Sequence, residues 1–326
     1  MVELCSIERL LWTAMTVATA IVAATPGLYS AFEHGKLRGF ARSSRSKAGP
    51  LSRLLQAAVP KRLFSHFYLL GLATTALVLV DVLVYGGSLF TASIQGKSVC
   101  SRVAGRSERA LELGGESLLC LLLLAAHIAR RLWECVAVTE WGSAQMSLAG
   151  YAVGVVHYQL MVLTVLAEAP PLGRLAREAR LEWRHASTVG VALAQSVKLR
   201  HAAALGLFVV GFVRQHEAIA HLASLRRSRA RSGGGKTVAT ANSYAIPSKG
   251  WFQHVSCAHY SAELLVYAAF VVLGSFKGRG LGQGYLVAFA FVFANQALVA
   301  GRAHAWYLQK FEGYPRERKR LIPGVW

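Results

Sequence analysis

The sequence predicts an all-α, multi-pass membrane protein with seven transmembrane helices, and three observations lead to this fold class. Of the 326 residues, 54% are hydrophobic and only 16% are charged, whereas soluble domains carry about 25% charged residues. The apolar residues come in long runs rather than in stripes along one helical face. The basic residues collect in the loops between these runs, which is how membrane topology is encoded.

Seven segments reach the length of about 20 mostly apolar residues that a spanning helix needs. In chain order they are residues 8–31, 64–91, 112–136, 145–167, 200–223, 258–275 and 284–307. The first segment follows a short acidic N-terminus and is too long for a signal peptide with a cleavage site, so we expect it to be retained.

The net charge of +20 predicts the orientation of the chain. The loops after the first and fifth segments and the C-terminal tail are richer in Lys and Arg than the opposite set of loops. Because basic loops favour the cytosolic side, we predict a cytosolic C-terminus and an N-terminus across the membrane. No aromatic and basic platform accompanies the charge, so nucleic-acid binding is not predicted.

Short patterns that resemble phosphate or metal sites fail on spacing. A phosphate-binding loop at Gly235 would need a glycine at position 230, which is alanine. His216 and His221 are five residues apart, whereas a zinc protease helix places its two histidines at i and i+4. The stretch HVSCAH (254–259) has no second cluster to complete a tetrahedral set. We therefore predict no metal site.

Three polar sets near the cytosolic ends of the last three segments form the candidate site. They are Gln215, Glu217, His221, Arg226 and Arg227 in the fifth segment, His259, Glu263 and Tyr267 in the sixth, and Gln296, Arg302, His304 and Tyr307 in the seventh. An ionisable residue in a membrane helix is by default a functional-site hypothesis. Arginines suit phosphates, while a carboxylate and amides suit ribose or nicotinamide. The combination predicts a pyridine-nucleotide site without a Rossmann domain.

With these residues in view, the sequence resembles the steroid 5α-reductase family, and most closely its polyprenal reductase branch. The stretches that carry the resemblance are VPKRLFSHFYLLGL (59–72), HIARRLWECVAV (127–138), QHEAIAHLASLR (215–226), IPSKGWFQHVSCAHYSAELLVY (246–267) and AHAWYLQKFEGYPRERKRLIPGVW (303–326). The last stretch is highly specific to the family. The resemblance implies two parts, residues 1–57 with the first helix and a basic cytosolic loop, and residues 58–326 as the membrane reductase domain.

By this resemblance, the C-terminal helices hold NADPH at their cytosolic side, and earlier helices form a lipid-facing pocket. The implied function is NADPH-dependent reduction of the α-isoprene C=C of polyprenal to dolichal, which supports dolichol synthesis and protein N-glycosylation. The implied location is the endoplasmic reticulum membrane, and the implied partner is a long-chain isoprenoid lipid within the bilayer.

The polar sets and the resemblance together give a list of expected site residues. The expected cofactor-binding residues are Gln215, Arg226, Tyr244, His259, Glu263 and Tyr307. The expected catalytic residues are His66, Tyr68, His127, Glu263, His304 and Tyr307. Steroid reductases have a tyrosine where this chain has Ile128, so the residue that activates the substrate carbonyl stays open among His127, His66 and Tyr68.

Other functions share parts of this pattern. A 3-oxo-steroid 5α-reductase and a trans-2-enoyl-CoA reductase would use the same constellation. A methyltransferase of the isoprenylcysteine type would bind S-adenosylmethionine at the C-terminal helices instead. In a non-enzymatic lipid-binding scaffold, the polar sets would only join helices to one another.

Overall fold

The computed structural model describes residues 4–25, 57–96, 107–169, 172, 199–232, 244–274 and 282–326. Within these ranges the helices are α1 Leu4–Ala24, α2 Phe64–Tyr85, α3 Thr91–Gly96, α4 Ser107–Trp133, α5 Leu148–Glu168, α6 Leu199–Ser232, α7 Ala258–Leu273 and α8 Gln283–Lys310. Two short antiparallel strands, β1 Ala58–Pro60 and β2 Gln145–Ser147, pair Ala58 with Ser147. Most of the basic loop predicted after α1 lies outside the described residues.

Each of the seven predicted segments overlaps a helix, and the prediction of a helical membrane protein is confirmed. Helices α1, α2, α5, α6 and α8 are long and apolar enough to cross a bilayer. Helix α7 is apolar but has only 16 residues. Helix α4 carries charged side chains towards both ends, and those at Glu116 and Arg130 are paired inside the bundle rather than left facing lipid.

Helix α2 ends at Tyr85, six residues before the predicted end of its segment. Gly86 and Gly87 follow with φ of 62° and 72°, a left-handed conformation that glycine adopts without strain. The fully buried carboxylate of Asp81 accepts hydrogen bonds from the backbone N–H groups of residues 89–91, at 2.9, 3.1 and 2.7 Å. Asp81 therefore fixes the turn that leads from α2 into α3.

We expect Asp81→Ala to lower the free energy of unfolding by about 1–3 kcal/mol, because buried N–H groups lose their acceptor. Thermal unfolding of the purified protein in detergent measures this change. Ser88→Ala removes an exposed hydroxyl of the same turn and is the matched control, with an expected change within about 0.5 kcal/mol. Equal effects of the two substitutions would contradict the role given to Asp81.

Contacts between helices establish their relative directions. Arg200 pairs with Glu116 at one end of α4 and α6, and Gln215 bonds to Arg130 at the other, so these helices run in parallel. Helices α6 and α7 pack closely and antiparallel at Gly211, where a Cβ atom would lie 2.7 Å from the carbonyl oxygen of Ala262. This close packing brings side chains of α6 within reach of α7.

Helix α1 is an integral part of the bundle and packs mainly against α8 and α5. Trp12 is fully buried and donates through Nε1 to the Thr164 hydroxyl at 2.9 Å. Arg9 donates to Glu168 at 2.8 Å and to Gln283 at 2.6 Å. These bonds tie α1 to the C-terminal end of α5 and the N-terminal end of α8.

The tail, residues 311–326, folds back onto the start of α7. Ser256 N–H donates to the Lys319 carbonyl at 2.8 Å, and the Lys319 N–H donates to the His254 carbonyl at 2.9 Å. The hydroxyl of Ser261 donates to the carbonyl of Leu321 at 2.5 Å. We call the end of the bundle that carries these residues the tail end; the C-termini of α4, α6 and α8 also lie there.

Candidate active site

A buried group of charges lies at the C-terminus of α4. Glu134 is fully buried and accepts hydrogen bonds from Arg130 and from Arg131. A π-helical turn, Glu134–Val138, ends the helix at this point. His216 of α6 adds a further contact, with Nδ1 2.9 Å from Glu134 Oε1. The buried carboxylate is thus balanced by two guanidinium groups and one imidazole.

This group continues to Glu263 through Gln215 of α6. Arg130 donates to the amide oxygen of Gln215, and the Gln215 amide nitrogen donates to Glu263 Oε2. The other carboxylate oxygen of Glu263 lies 3.3 Å from Nε2 of the fully buried His127. Because buried charges persist only when they are paired and hydrogen-bonded, this network explains how α7 carries a carboxylate between membrane helices.

Tyr68 of α2 joins the network from its other side. Arg131 donates to the Tyr68 hydroxyl oxygen at 3.0 Å, and its guanidinium lies 5.2 Å from the centre of the Tyr68 ring. The hydroxyl oxygen accepts this bond, so its own hydrogen is left to donate elsewhere. Tyr68 is therefore a buried phenol beside a cation, which suits a group that stabilises negative charge on a substrate.

An arc of rings extends from Tyr68 across the inside of the bundle. The ring centres of Tyr68 and Tyr158 are 5.2 Å apart, and those of Tyr158 and His157 are 4.8 Å apart. The next pairs are His157 with Tyr267 at 5.6 Å and Tyr267 with His127 at 6.5 Å. We call these five residues the aromatic arc. It begins and ends at residues that contact the charged network.

Tyr307 and His304 lie in a second cluster, at the tail end. The Tyr307 ring stacks on Tyr314 at 5.0 Å and 9°. The Tyr314 hydroxyl is 2.7 Å from the Ser256 hydroxyl, which lies 2.6 Å from Nδ1 of His304. Burial raises the pKa of Tyr314, so its phenol stays protonated at neutral pH and can donate. These bonds hold the tail against α8.

Arg226 and Tyr244 adjoin this second cluster. Arg226 donates to the carbonyl oxygen of Glu140, and its guanidinium lies 6.0 Å from the centre of the Tyr244 ring. Tyr244 packs edge-on against Trp306 at 5.1 Å, and Trp306 packs against Tyr307 at 5.2 Å. A continuous series of ring contacts therefore leads from Arg226 to Tyr307.

An open groove of about 410 Å³ lies at the tail end between α6 and the segment before α7. Nε2 of His221 lies 3.2 and 3.4 Å from the backbone nitrogens of Ser248 and Lys249. The Nδ1 atom of His221 is buried and makes no hydrogen bond within the described part of the chain. The side chains that line the groove include Arg214, Glu217, His221, Ser224, Lys249 and Trp251.

The structure distributes the predicted site residues over several places. Tyr68, His127, Gln215 and Glu263 meet in the interior network, whereas Arg226, Tyr244, His304 and Tyr307 lie around the second cluster. His259 lies at the start of α7, with its ring 4.0 Å from that of Tyr260. His66 is exposed, and its Nδ1 lies 3.0 Å from the Tyr151 hydroxyl.

Several residues of this site are missing from the sequence prediction. Arg130, Arg131 and Glu134 were not singled out, although their i, i+3 and i, i+4 spacing on one helix is a signal that could have found them. His157 carries no such signal, because its partner Tyr267 lies 110 residues away along the chain.

Comparisons with known proteins find relatives over most of the chain. The family model described as 3-oxo-5-alpha-steroid 4-dehydrogenase matches residues 182–326. The chain is 30% identical over 288 residues to a polyprenal reductase of Homo sapiens, covering 86% of this chain and 83% of that protein. It is 33% identical to a polyprenal reductase of Danio rerio, covering 81% and 79%.

A plant relative covers the length of the chain more fully. Polyprenal reductase 1 of Arabidopsis thaliana is 28% identical over 323 residues, which is 94% of this chain and 95% of that protein. Similarity of this extent to several reductases makes the chain an enzyme of the same kind. The protein therefore belongs to the steroid 5α-reductase family and, within it, to the polyprenal reductases.

Proposed function

We propose that this protein is a membrane-bound, NADPH-dependent reductase that saturates the α-isoprene C=C of polyprenal to give dolichal. The observation that carries the proposal is the 30% identity to a polyprenal reductase over 83% of that relative's length. The buried polar network between apolar helices supports it, because a reaction on an isoprenoid needs polar groups at membrane depth. Dolichal would then feed dolichol synthesis and protein N-glycosylation at the endoplasmic reticulum.

The donors at the tail end fit a phosphorylated dinucleotide. Arg214, Lys249 and His221 line the groove, and Nδ1 of His221 makes no hydrogen bond within the described part of the chain. Arg226, further along the same helix and beside the Tyr244 ring, adds another guanidinium, and guanidinium groups bind phosphate through paired donors. Glu217 also lines the groove and can accept hydrogen bonds from ribose hydroxyls. We propose that these residues hold the phosphate and ribose part of NADPH.

When bound, NADPH supplies the hydride that reduces the double bond. The protein contributes the donors for the negative charge that develops on the carbonyl oxygen, and such preorganised donors often make the largest catalytic contribution. We assign this role to Tyr68, because Arg131 donates to its oxygen and strengthens the phenol as a donor. Glu263 and His127 continue the charged network that holds Arg130 in place beside Arg131.

The helix directions support seven crossings with the two termini on opposite sides, and the basic loops and tail favour the cytosol for the C-terminus. Helices α1, α4, α6 and α8 run towards the tail end, and α2, α5 and α7 run away from it, as alternating crossings require. On α2 the large apolar side chains of Leu69, Leu77 and Val84 are about half exposed, at 54%, 61% and 55%. Such side chains suit contact with lipid, from which an isoprenoid substrate would enter.

Turnover of three substrates in parallel tests the proposed function. Microsomes containing the protein would receive NADPH with polyprenal, a 3-oxo-Δ4 steroid or an enoyl-CoA, and mass spectrometry would detect the gain of two hydrogens. We expect dolichal from polyprenal alone. Reduction of the steroid or the CoA ester instead would reassign the substrate. If the protein neither reduced any of the three substrates nor bound NADPH saturably, it would instead be a lipid-binding scaffold.

Arg226→Ala is expected to raise the dissociation constant for NADPH by about tenfold or more, since a charge-assisted hydrogen bond contributes roughly 1.5–3 kcal/mol. Titration of the purified protein with NADPH, followed by nicotinamide fluorescence, measures the constant. Arg316→Ala removes an exposed arginine of the tail and serves as the control. If both variants bind NADPH equally well, Arg226 does not contact the cofactor.

A further inference from the structure

The pair formed by His157 and Tyr267 has no role in the mechanism described so far. Nε2 of His157 on α5 lies 2.5 Å from the hydroxyl oxygen of Tyr267 on α7. Tyr267 is 2% exposed and follows Glu263 by one helical turn, on nearly the same face of α7. The two side chains form the part of the aromatic arc between Tyr158 and His127. The pair therefore lies beside the charged network at Glu263.

His157 is less buried than the rings that surround it. Its ring contacts Trp12, Tyr158 and Phe291 at 5.3, 4.8 and 5.8 Å, and all three of these side chains are buried. His157 itself is partly accessible. His157 is therefore the member of the pair that can exchange protons with its surroundings.

We propose that Tyr267 is the acid that protonates the α carbon of the substrate and that His157 returns the proton to Tyr267. This inference rests on the proposed function, because reduction of a conjugated C=C needs one hydride and one proton. The hydride comes from the reduced nicotinamide and forms the C–H bond at the β carbon. The remaining electron pair of the enolate then takes a proton at the α carbon.

The proton transfers balance within this pair and one water molecule. The O–H bond of Tyr267 breaks as the new C–H bond forms at the α carbon. The resulting tyrosinate oxygen takes the proton from Nε2 of His157, while Nδ1 of His157 takes a proton from a water molecule, which leaves as hydroxide and is neutralised by a proton from bulk solvent. One hydride and one proton have then been added across the double bond, and exchange of the ring protons of His157 with solvent restores its starting tautomer.

The neighbouring groups are less suited to this step. Glu263 already accepts from Gln215 and lies against His127, so its oxygens are engaged in the charged network. Tyr68 lies beside Arg131, which favours holding an oxyanion rather than giving up a proton. Tyr267 has an imidazole at hydrogen-bond distance, the arrangement needed to replace a lost proton. In this proposal, Tyr68 donates a hydrogen bond to the carbonyl oxygen, and Tyr267 donates a proton to the α carbon.

Turnover of polyprenal by Tyr267→Phe in deuterated water tests the proposal. The aldehyde product would be reduced in place with borohydride, so that deuterium at the α carbon is not lost by exchange. In the unmodified protein we expect one deuterium, on a single face of the α carbon. In Tyr267→Phe we expect kcat to fall by about 100-fold or more and deuterium to appear on both faces. The NADPH dissociation constant and the unfolding temperature should not change.

Tyr285→Phe provides the matched control, since Tyr285 is a buried tyrosine of α8 that packs against Gly274. Its rate and its deuterium pattern should equal those of the unmodified protein. If Tyr267→Phe also keeps the unmodified rate and single-face deuterium, the proposal is wrong while the proposed function stands. If the unmodified protein does not reduce polyprenal, the proposed function fails, and this inference fails with it.

Two variants of His157 separate proton supply from orientation. The amide of His157→Gln can still bond to the Tyr267 hydroxyl but cannot pass a proton through its side chain. We expect this variant to place deuterium on a single face and to have a lower kcat. If titration of His157 contributes a step to the pH dependence of kcat, that step should be absent from the variant. His157→Leu should lose both rate and single-face deuterium. Equal behaviour of the two variants would overturn the role of His157 in proton supply.

Discussion

Glu263→Gln is expected to lower kcat by about 100-fold or more, because it removes the negative charge at the centre of the buried network. Removal of one preorganised electrostatic group commonly costs about 10²–10³ in rate. The amide keeps the size of the side chain, but it turns one of the two acceptor positions beside Gln215 and His127 into a donor. The measurement is steady-state reduction of polyprenal together with titration of NADPH.

The variant also separates two roles for the carboxylate. A raised NADPH dissociation constant with a modest change in kcat would place Glu263 in cofactor binding. A lower kcat with an unchanged constant would place it in the chemical step. Glu312→Gln, in the exposed part of the tail, is the control and should match the unmodified protein. If Glu263→Gln had the same kcat and the same NADPH dissociation constant as the unmodified protein, Glu263 would have no part in the site.

Glu134→Ala is expected to have the largest effect on stability, about 3–5 kcal/mol, which is the usual cost of leaving a buried charge without its partner. The substitution removes the acceptor shared by Arg130 and Arg131 and leaves both guanidinium groups inside the bundle. Thermal unfolding in detergent, followed by tryptophan fluorescence, measures the effect. We expect a lower unfolding temperature and a poor yield of folded protein.

Glu140→Ala is the matched control for this prediction. The Glu140 side chain is half exposed and lies 3.5 Å from Arg227, and exposed pairs of this kind contribute about 1 kcal/mol or less. If Glu134→Ala and Glu140→Ala lowered the free energy of unfolding by similar amounts, the burial of Glu134 would not be the cause of its effect on stability. Glu134→Gln keeps one acceptor oxygen, so we expect it to fall between the other two variants.

The helices were predictable from the sequence because their signal is local. Long apolar runs in the sequence overlap each of these helices, and the glycines at 86 and 87 explain where α2 ends. The segment at 112–136 was predicted as an ordinary apolar span, although its helix carries a row of charges. Its polarity can be reconciled with a bundle only by knowing the partners on α6, and that information is not local.

The candidate site was predictable only in part, for the same reason. Glu263 and Gln215 were singled out because polar residues in apolar segments are rare. That they bond to one another depends on the register between α6 and α7, which is fixed by the close packing at Gly211. The sequence does not contain this register in any short pattern. The same is true of His157 and Tyr267.

The packing of α1 has a consequence for how the chain assembles during synthesis. Helix α1 is made well before its main neighbours α5 and α8, and α8 is the last of the described helices. Until α8 is made, Arg9 lacks its bond to Gln283 and Trp12 lacks the ring of Phe291. Helix α1 therefore stays without one of its two main partners in the bilayer until α8 has been made, and only then can this part of the bundle close.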